Sequence, residues 1–134
     1  MDLKGIGLFE GIPDNSLKKL GKQMREVHHP KGARPVVRGK DGVGFMVILE
    51  GQAEVSTVDG RHRLLGPGDH FGEMALLDQQ GRSADITART DLVSAAIPEW
   101  EFKEFLNSHP EVAYRLLQTL SRRLREAEEA RENS

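Results

Sequence analysis

Between Val27 and Pro98 the chain is broken repeatedly by glycine and proline, and most of the runs left between them are too short for helices. The runs are Pro35 to Val37, Phe45 to Leu49, Ala53 to Val58, His62 to Leu65, Ala84 to Ala88 and Leu92 to Ile97. Each is apolar or alternating, the pattern of a strand with one or both faces covered. The breaks are Lys31-Gly32, Gly39-Lys40-Asp41-Gly42, Glu50-Gly51, Asp59-Gly60 and Gly66-Pro67-Gly68-Asp69. Asp59-Gly60 is the clearest hairpin turn, because both residues tolerate the positive φ that a primed turn demands. Short strands with turns at roughly eight to twelve residue spacing close into an antiparallel sandwich or small barrel.

The flanks have a different period. From Leu3 to Met24 the pattern is helical, with Pro13 and Asp14 able to open a helix on which Leu17, Leu20 and Met24 share a face. Trp100 to Leu106 reads as a short helix, stopped near Asn107-Ser108-His109. Pro110 is placed to start a second helix reaching about Arg131, and Glu111 suits the positive end of its dipole. On this helix Ala113, Leu117, Leu120, Leu124, Ala127 and Arg131 alternate steps of four and three, while Val112 and Leu116 occupy a neighbouring face. The helix can pack on the β region or pair with a second copy, and the spacing serves both. A chain of 134 residues supports one core and hence one domain. The expected architecture is mainly β: an antiparallel jelly roll over 27–98, an N-terminal helical segment over 1–26 and C-terminal helices over 99–131.

The densest chemistry lies in Phe71 to Ala84, FGEMALLDQQGRSA. The turn Gly66-Pro67-Gly68-Asp69 leads into it, and Gly72 permits a close backbone approach that a side chain would block. Met74-Ala75-Leu76-Leu77 is helix-compatible, and one helical turn there would aim unpaired N–H groups at an anion. Arg82 can give phosphate oxygens two parallel charge-assisted hydrogen bonds. Ionised Glu73 only accepts, so it suits a ligand hydroxyl and repels a phosphate set against it. Together they describe a sugar hydroxyl on one side and a phosphate on the other.

This segment closely resembles the phosphate-binding cassette of the cyclic nucleotide-binding domains, the family shared by bacterial catabolite activators, cyclic-nucleotide-dependent kinases and cyclic-nucleotide-gated channels. The resemblance covers nearly the whole chain: Leu8-Phe9 and Leu17 look like the entry helices, Ile48-Leu49-Glu50-Gly51 and Val55 like the central hairpin, and Pro67-Gly68-Asp69 like the lead-in turn. It implies that Glu73 accepts from the ribose 2′-hydroxyl and that Arg82 pairs with the cyclic phosphate. Gly72, Ala75, Ser83 and Ala84 would supply backbone N–H groups or close packing around the same ligand. Phe71 belongs to the same cassette, and Leu64, Leu65 and Met74 are candidates for lining the base. In the family a threonine beside the phosphate-binding arginine favours guanine; here that position is Ser83, so the resemblance favours cAMP over cGMP, while the serine hydroxyl keeps cGMP open. The activators' hydroxyl contacts to adenine from the long C-terminal helix fall on Ala127 and Glu128, a departure from the pattern, and Arg122 or Arg123 could instead cover the base or pair with Glu73.

Other functions are disfavoured. A net charge of −2 gives no electrostatic reason for direct nucleic-acid binding or for membrane attraction. With no cysteine there can be no disulfide, thiolate metal site or cysteine nucleophile. The N-terminus lacks a signal pattern and no run nears the roughly eighteen apolar residues of a membrane span, so a cytoplasmic location is expected. His62 and His70 do not form HxH or HExxH spacing, and adjacent His28 and His29 should point to opposite faces of a strand, so no metal site is expected. No nucleophile and base constellation appears, and the chain is not expected to be an enzyme. A DNA-reading module would have to follow Ser134, and kinase or channel segments are also absent from these residues. The expectation is a cyclic nucleotide sensor, stand-alone or part of a larger regulator, that repositions its C-terminal helices; the alternative is a ligand-free relative that recruits a partner or dimerises through the Ala113 to Ala127 seam.

Overall fold

Strand β2 (Gly44–Glu50) organises the molecule because both of its faces are buried. Phe45 and Val47 join an apolar cluster with the helices, whereas Met46 and Ile48 join a second cluster between the sheets. The alternation is that of any strand, but here neither face meets water, so polar residues are missing until its end. The computed structural model describes residues 1–35, 44–57, 60–72 and 84–132. A four-stranded sheet runs in the order β1 (Arg25–His29), β7 (Leu92–Pro98), β2, β5 (His70–Phe71), and a three-stranded sheet in the order β4 (His62–Leu65), β3 (Ala53–Thr57), β6 (Ala84–Ala88). Every pairing is antiparallel, as a sandwich built from short connections requires.

The expected runs from Phe45, Ala53, His62, Ala84 and Leu92 all appear as strands. Val36, Val37, Val58, Asp59 and the Gly39 to Gly42 turn lie outside the described residues, but β3 and β4 pair across the proposed hairpin, with Ser56 opposite His62. Two strands were not among the expected runs. β1 carries a single aliphatic side chain, Val27, and exists as an edge by pairing Arg25 to His29 with β7. β5 has two residues, and only the pairs Met46 with Phe71 and Val47 with His70 make it a strand.

The N-terminal helical pattern divides into a 3-10 turn at Gly7–Phe9 and helix α1 (Asp14–Gln23). Pro13 stands just outside α1 in extended conformation, where its missing N–H costs no helix bond. At the other end, α2 (Glu99–Ser108) is slightly longer than expected, and α3 (Pro110–Glu132) starts on Pro110 as anticipated. Val112 and Leu116 are buried in the same cluster as Phe9, Phe45 and Phe105, so the face beside the heptad seam is the one that docks. Gly44 is required where β2 meets β7: its φ is +134°, and a Cβ would lie 2.1 Å from the Ile97 carbonyl oxygen.

The histidine pair divides as the strand geometry demands. His28 is exposed and its Nε2 lies 2.9 Å from Glu26 Oε2, whereas His29 is half-buried with its Nδ1 inaccessible to water. Burial lowers the pKa of His29, so the native state holds fewer protons there than the unfolded chain. Its contribution to stability is therefore present above the unfolded histidine pKa and is lost as pH falls through the lower folded value. Melting temperature should fall between pH 7 and pH 5, and less steeply in His29→Phe; equal slopes in thermal melts would remove His29 as the cause.

Candidate functional site

Gly66-Pro67-Gly68-Asp69 forms a fixed turn, which locates the entrance to the candidate site. The Gly66 N–H donates to Asp69 Oδ2 at 2.8 Å, and the Asp69 N–H returns a bond to the Gly66 carbonyl at 3.0 Å. The turn is fastened to β2 on both sides: Gly68 N–H donates to the Ile48 carbonyl and Ile48 N–H to the Asp69 carbonyl, each at 2.8 Å. A donor and an acceptor of β2 that would otherwise be buried unpaired are satisfied this way. The chain then enters β5 and reaches Gly72, whose φ of +98° suits glycine far better than any residue with a Cβ.

On the far side of the segment the chain resumes at Ala84, opposite Thr57 in the three-stranded sheet. Residues 73–83 thus connect the edge strand of one sheet to a strand of the other. Glu73, Met74, Ala75, Arg82 and Ser83 lie outside the described residues. The flanking candidates divide by burial. Phe71 and Leu65 are only 4% and 3% exposed and pack together in the cluster between the sheets, with Ile86 and Ala88. Leu64, one position earlier, is 61% exposed on the opposite face of β4. Ile86 and Ala88 were not singled out from sequence; the signal for them was the alternation of Ala84 to Ala88, which points every second side chain inward.

His70, beside Phe71, points to the helical side of the sheet. Its ring lies 5.5 Å from that of Phe45, which in turn lies 5.3 Å from Phe102 on α2. Three buried rings therefore run from the strand entering the candidate site to the first C-terminal helix. On the outer sheet His62 Nδ1 lies 3.2 Å from Glu54 Oε1, and Arg89 approaches the other oxygen of Glu54 at 3.6 Å. His62 and His70 belong to different sheets. Arg122 lines a shallow concavity on α3 with Leu117, Gln118, Ser121 and Arg125. Ala127 and Glu128 are exposed further along the same helix.

A fold of two antiparallel sheets with C-terminal helices, in which β5 runs into a glycine at positive φ, matches a known domain. Residues 26–109 match the family model described as the cyclic nucleotide-binding domain, and the chain belongs to that family. It is 30% identical over 128 residues to the CRP-like cAMP-activated global transcriptional regulator of Mycobacterium tuberculosis, a match covering 92% of this chain and 57% of that protein. It is 29% identical over 106 residues to a cAMP-dependent protein kinase regulatory subunit of Aspergillus niger, covering 78% of this chain and 26% of that one. Among solved structures, the catabolite activator protein of Thermus thermophilus superposes with a TM-score of 0.84 at 30% identity, over 94% of this chain and 62% of that one. The expected family and the jelly-roll fold with flanking helices are thus shown. The chain spans under two thirds of each of these proteins. Among the described residues, no helix is long and apolar enough to cross a membrane.

Proposed function

We propose that this domain binds a cyclic nucleotide, cAMP in preference to cGMP, in the Phe71–Ala84 segment, and that the bound ligand repositions α2 and α3. The observation that supports it most is the built entrance: a turn locked onto β2 delivers Gly72, at positive φ, to the start of a sequence carrying Glu73 and Arg82 at the family's spacing. Glu73 accepts from the ribose hydroxyl and Arg82 holds the cyclic phosphate. Gly72, Ala75, Ser83 and Ala84 supply backbone donors or close packing, Phe71 and Leu65 support the ligand from the core side, and Met74 is a candidate for lining the base. Serine rather than threonine at position 83 favours adenine, and the names of the Mycobacterium and Aspergillus relatives both specify cAMP. A ligand shifts the helices only by binding one arrangement better, and the ring series His70, Phe45, Phe102 supplies a packed route for that difference. The domain acts as a non-enzymatic cytoplasmic regulator without direct nucleic-acid contact of its own within residues 1–132, its effector being a partner or a fused domain. Calorimetric titration tests this: saturable binding of cAMP, tighter than of cGMP, is expected. Absence of heat with either, up to millimolar ligand, would leave the alternative of a ligand-free interaction module.

The same helix carries a second surface. Leu117 and Leu124 of the heptad seam are 63% and 61% exposed, while Leu120 is partly covered by the core. An apolar stripe of this spacing, left open after the neighbouring face has docked, fits a second copy of the chain through Ala113, Leu117, Leu120, Leu124 and Ala127. Sedimentation should show a dimer that becomes a monomer in Leu117→Lys/Leu124→Lys, with the melting temperature of the domain little changed at low concentration. A parent chain sedimenting as a monomer at high micromolar concentration would remove the dimer.

A further inference from the structure

His109 is the joint between α2 and α3. Its N–H donates to the carbonyls of Phe105 and Leu106 at 3.0 and 3.3 Å, and its own carbonyl accepts from Val112 and Ala113 at 3.0 and 3.2 Å. One residue outside helical geometry, at φ −131° and ψ 71°, therefore closes one helix and opens the next. Its side chain is also fixed. The imidazole lies 5.1 Å from the ring of Phe105, and Nε2 lies 2.8 Å from Oε1 of Gln23, the last residue of α1. Between α1 and α2 is an open cleft, lined by Lys22, Glu101, Glu104 and Ser108. An ion pair also crosses it, Arg25 to Glu101 at 3.6 Å, which joins two exposed side chains and is weak and salt-sensitive. The joint meets the end of α1 through a short directed bond, and such a bond can be broken without emptying any part of the core.

We propose that Gln23 and His109 are positioning residues: their hydrogen bond fixes the α2–α3 joint against the end of α1 and so sets the affinity of the domain for its nucleotide. The second half rests on the reading given under Proposed function. If ligand and joint are coupled, loss of a bond that favours one arrangement must change ligand affinity by the factor it changes the population of the binding-competent arrangement. A bond that only adds stability would leave affinity unchanged.

Gln23→Ala removes the acceptor, and His109→Phe removes the donor while keeping a ring against Phe105. Amide hydrogen exchange on the whole chain reads the joint directly. Each variant, and the double variant to no greater extent, should speed exchange at Val112 and Ala113 at least threefold relative to β2 and β7; a smaller change overturns the tether. Calorimetry with cAMP should then show both single variants shifted at least threefold in the same direction, with no further shift in the double. Faster exchange with cAMP affinity within threefold of the parent overturns the link to ligand. If the parent chain takes up neither cAMP nor cGMP, the nucleotide reading fails, the affinity clause falls with it, and the tether stands or falls on exchange.

Discussion

Arg82→Ala is expected to weaken cAMP binding by about 2 to 4 kcal/mol, roughly thirty-fold to nearly a thousand-fold. The cyclic phosphate keeps one negative charge and two free oxygens, and a guanidinium meets both with parallel N–H donors in a fixed plane. Alanine removes the fork and leaves that charge to backbone donors alone. Arg82→Lys should fall between parent and alanine, because the ammonium restores charge but not the two-point geometry. Thermal stability without ligand should be nearly unchanged in both variants, which separates a binding loss from an unfolded chain. Calorimetry on the three proteins decides it, and an Arg82→Ala variant that binds like the parent removes the phosphate assignment.

Phe45→Ala should destabilise the fold by about 3 to 5 kcal/mol. Phe45 is 1% exposed, sits on the strand that both clusters share, and touches His70 on one side and Phe102 on the other. Truncation removes the ring's transfer free energy and leaves a cavity between strand and helix that neither backbone can collapse to fill. A domain of this size is stable by only about 5 to 15 kcal/mol in total, so the variant stands near the limit of folding. Phe45→Leu should cost less because it refills most of the space, and urea denaturation followed by circular dichroism gives both values. A loss below about 1 kcal/mol in Phe45→Ala would mean that the site relaxes, against the packing described. The leucine variant also tests the ring route: if His70, Phe45 and Phe102 carry the ligand's effect, the helices of a folded Phe45→Leu protein should respond less to cAMP.

Legibility differed from element to element for reasons of physical range. Strands β2, β3, β4, β6 and β7 announced themselves because a pleated strand with a buried face repeats every two residues, and the turns between them use residues chosen for local backbone freedom. The start of α3 at Pro110 was equally local. β5, and β1 apart from its His28-His29 pair, were hidden because their hydrogen-bond partners, β2 and β7, are distant in sequence and their own side chains carry little pattern. The heptad seam of α3 was visible, but not the fact that Val112 and Leu116 would be the docked face, since both stripes are apolar.

The candidate site shows the same boundary. The family and the site proposed for its ligand were legible in the chain alone, because a carboxylate, a guanidinium and a permissive glycine at fixed spacing act over a dozen residues and need no distant partner to be read. Three-dimensional packing was needed to show that Leu65 faces inward beside Phe71 while Leu64 faces solvent, that His70 stacks toward α2, and that His109 reaches Gln23. Those outcomes depend on which sheet face each strand presents and on contacts between residues far apart in the chain, and burial of the larger apolar surface, not local pattern, selects them.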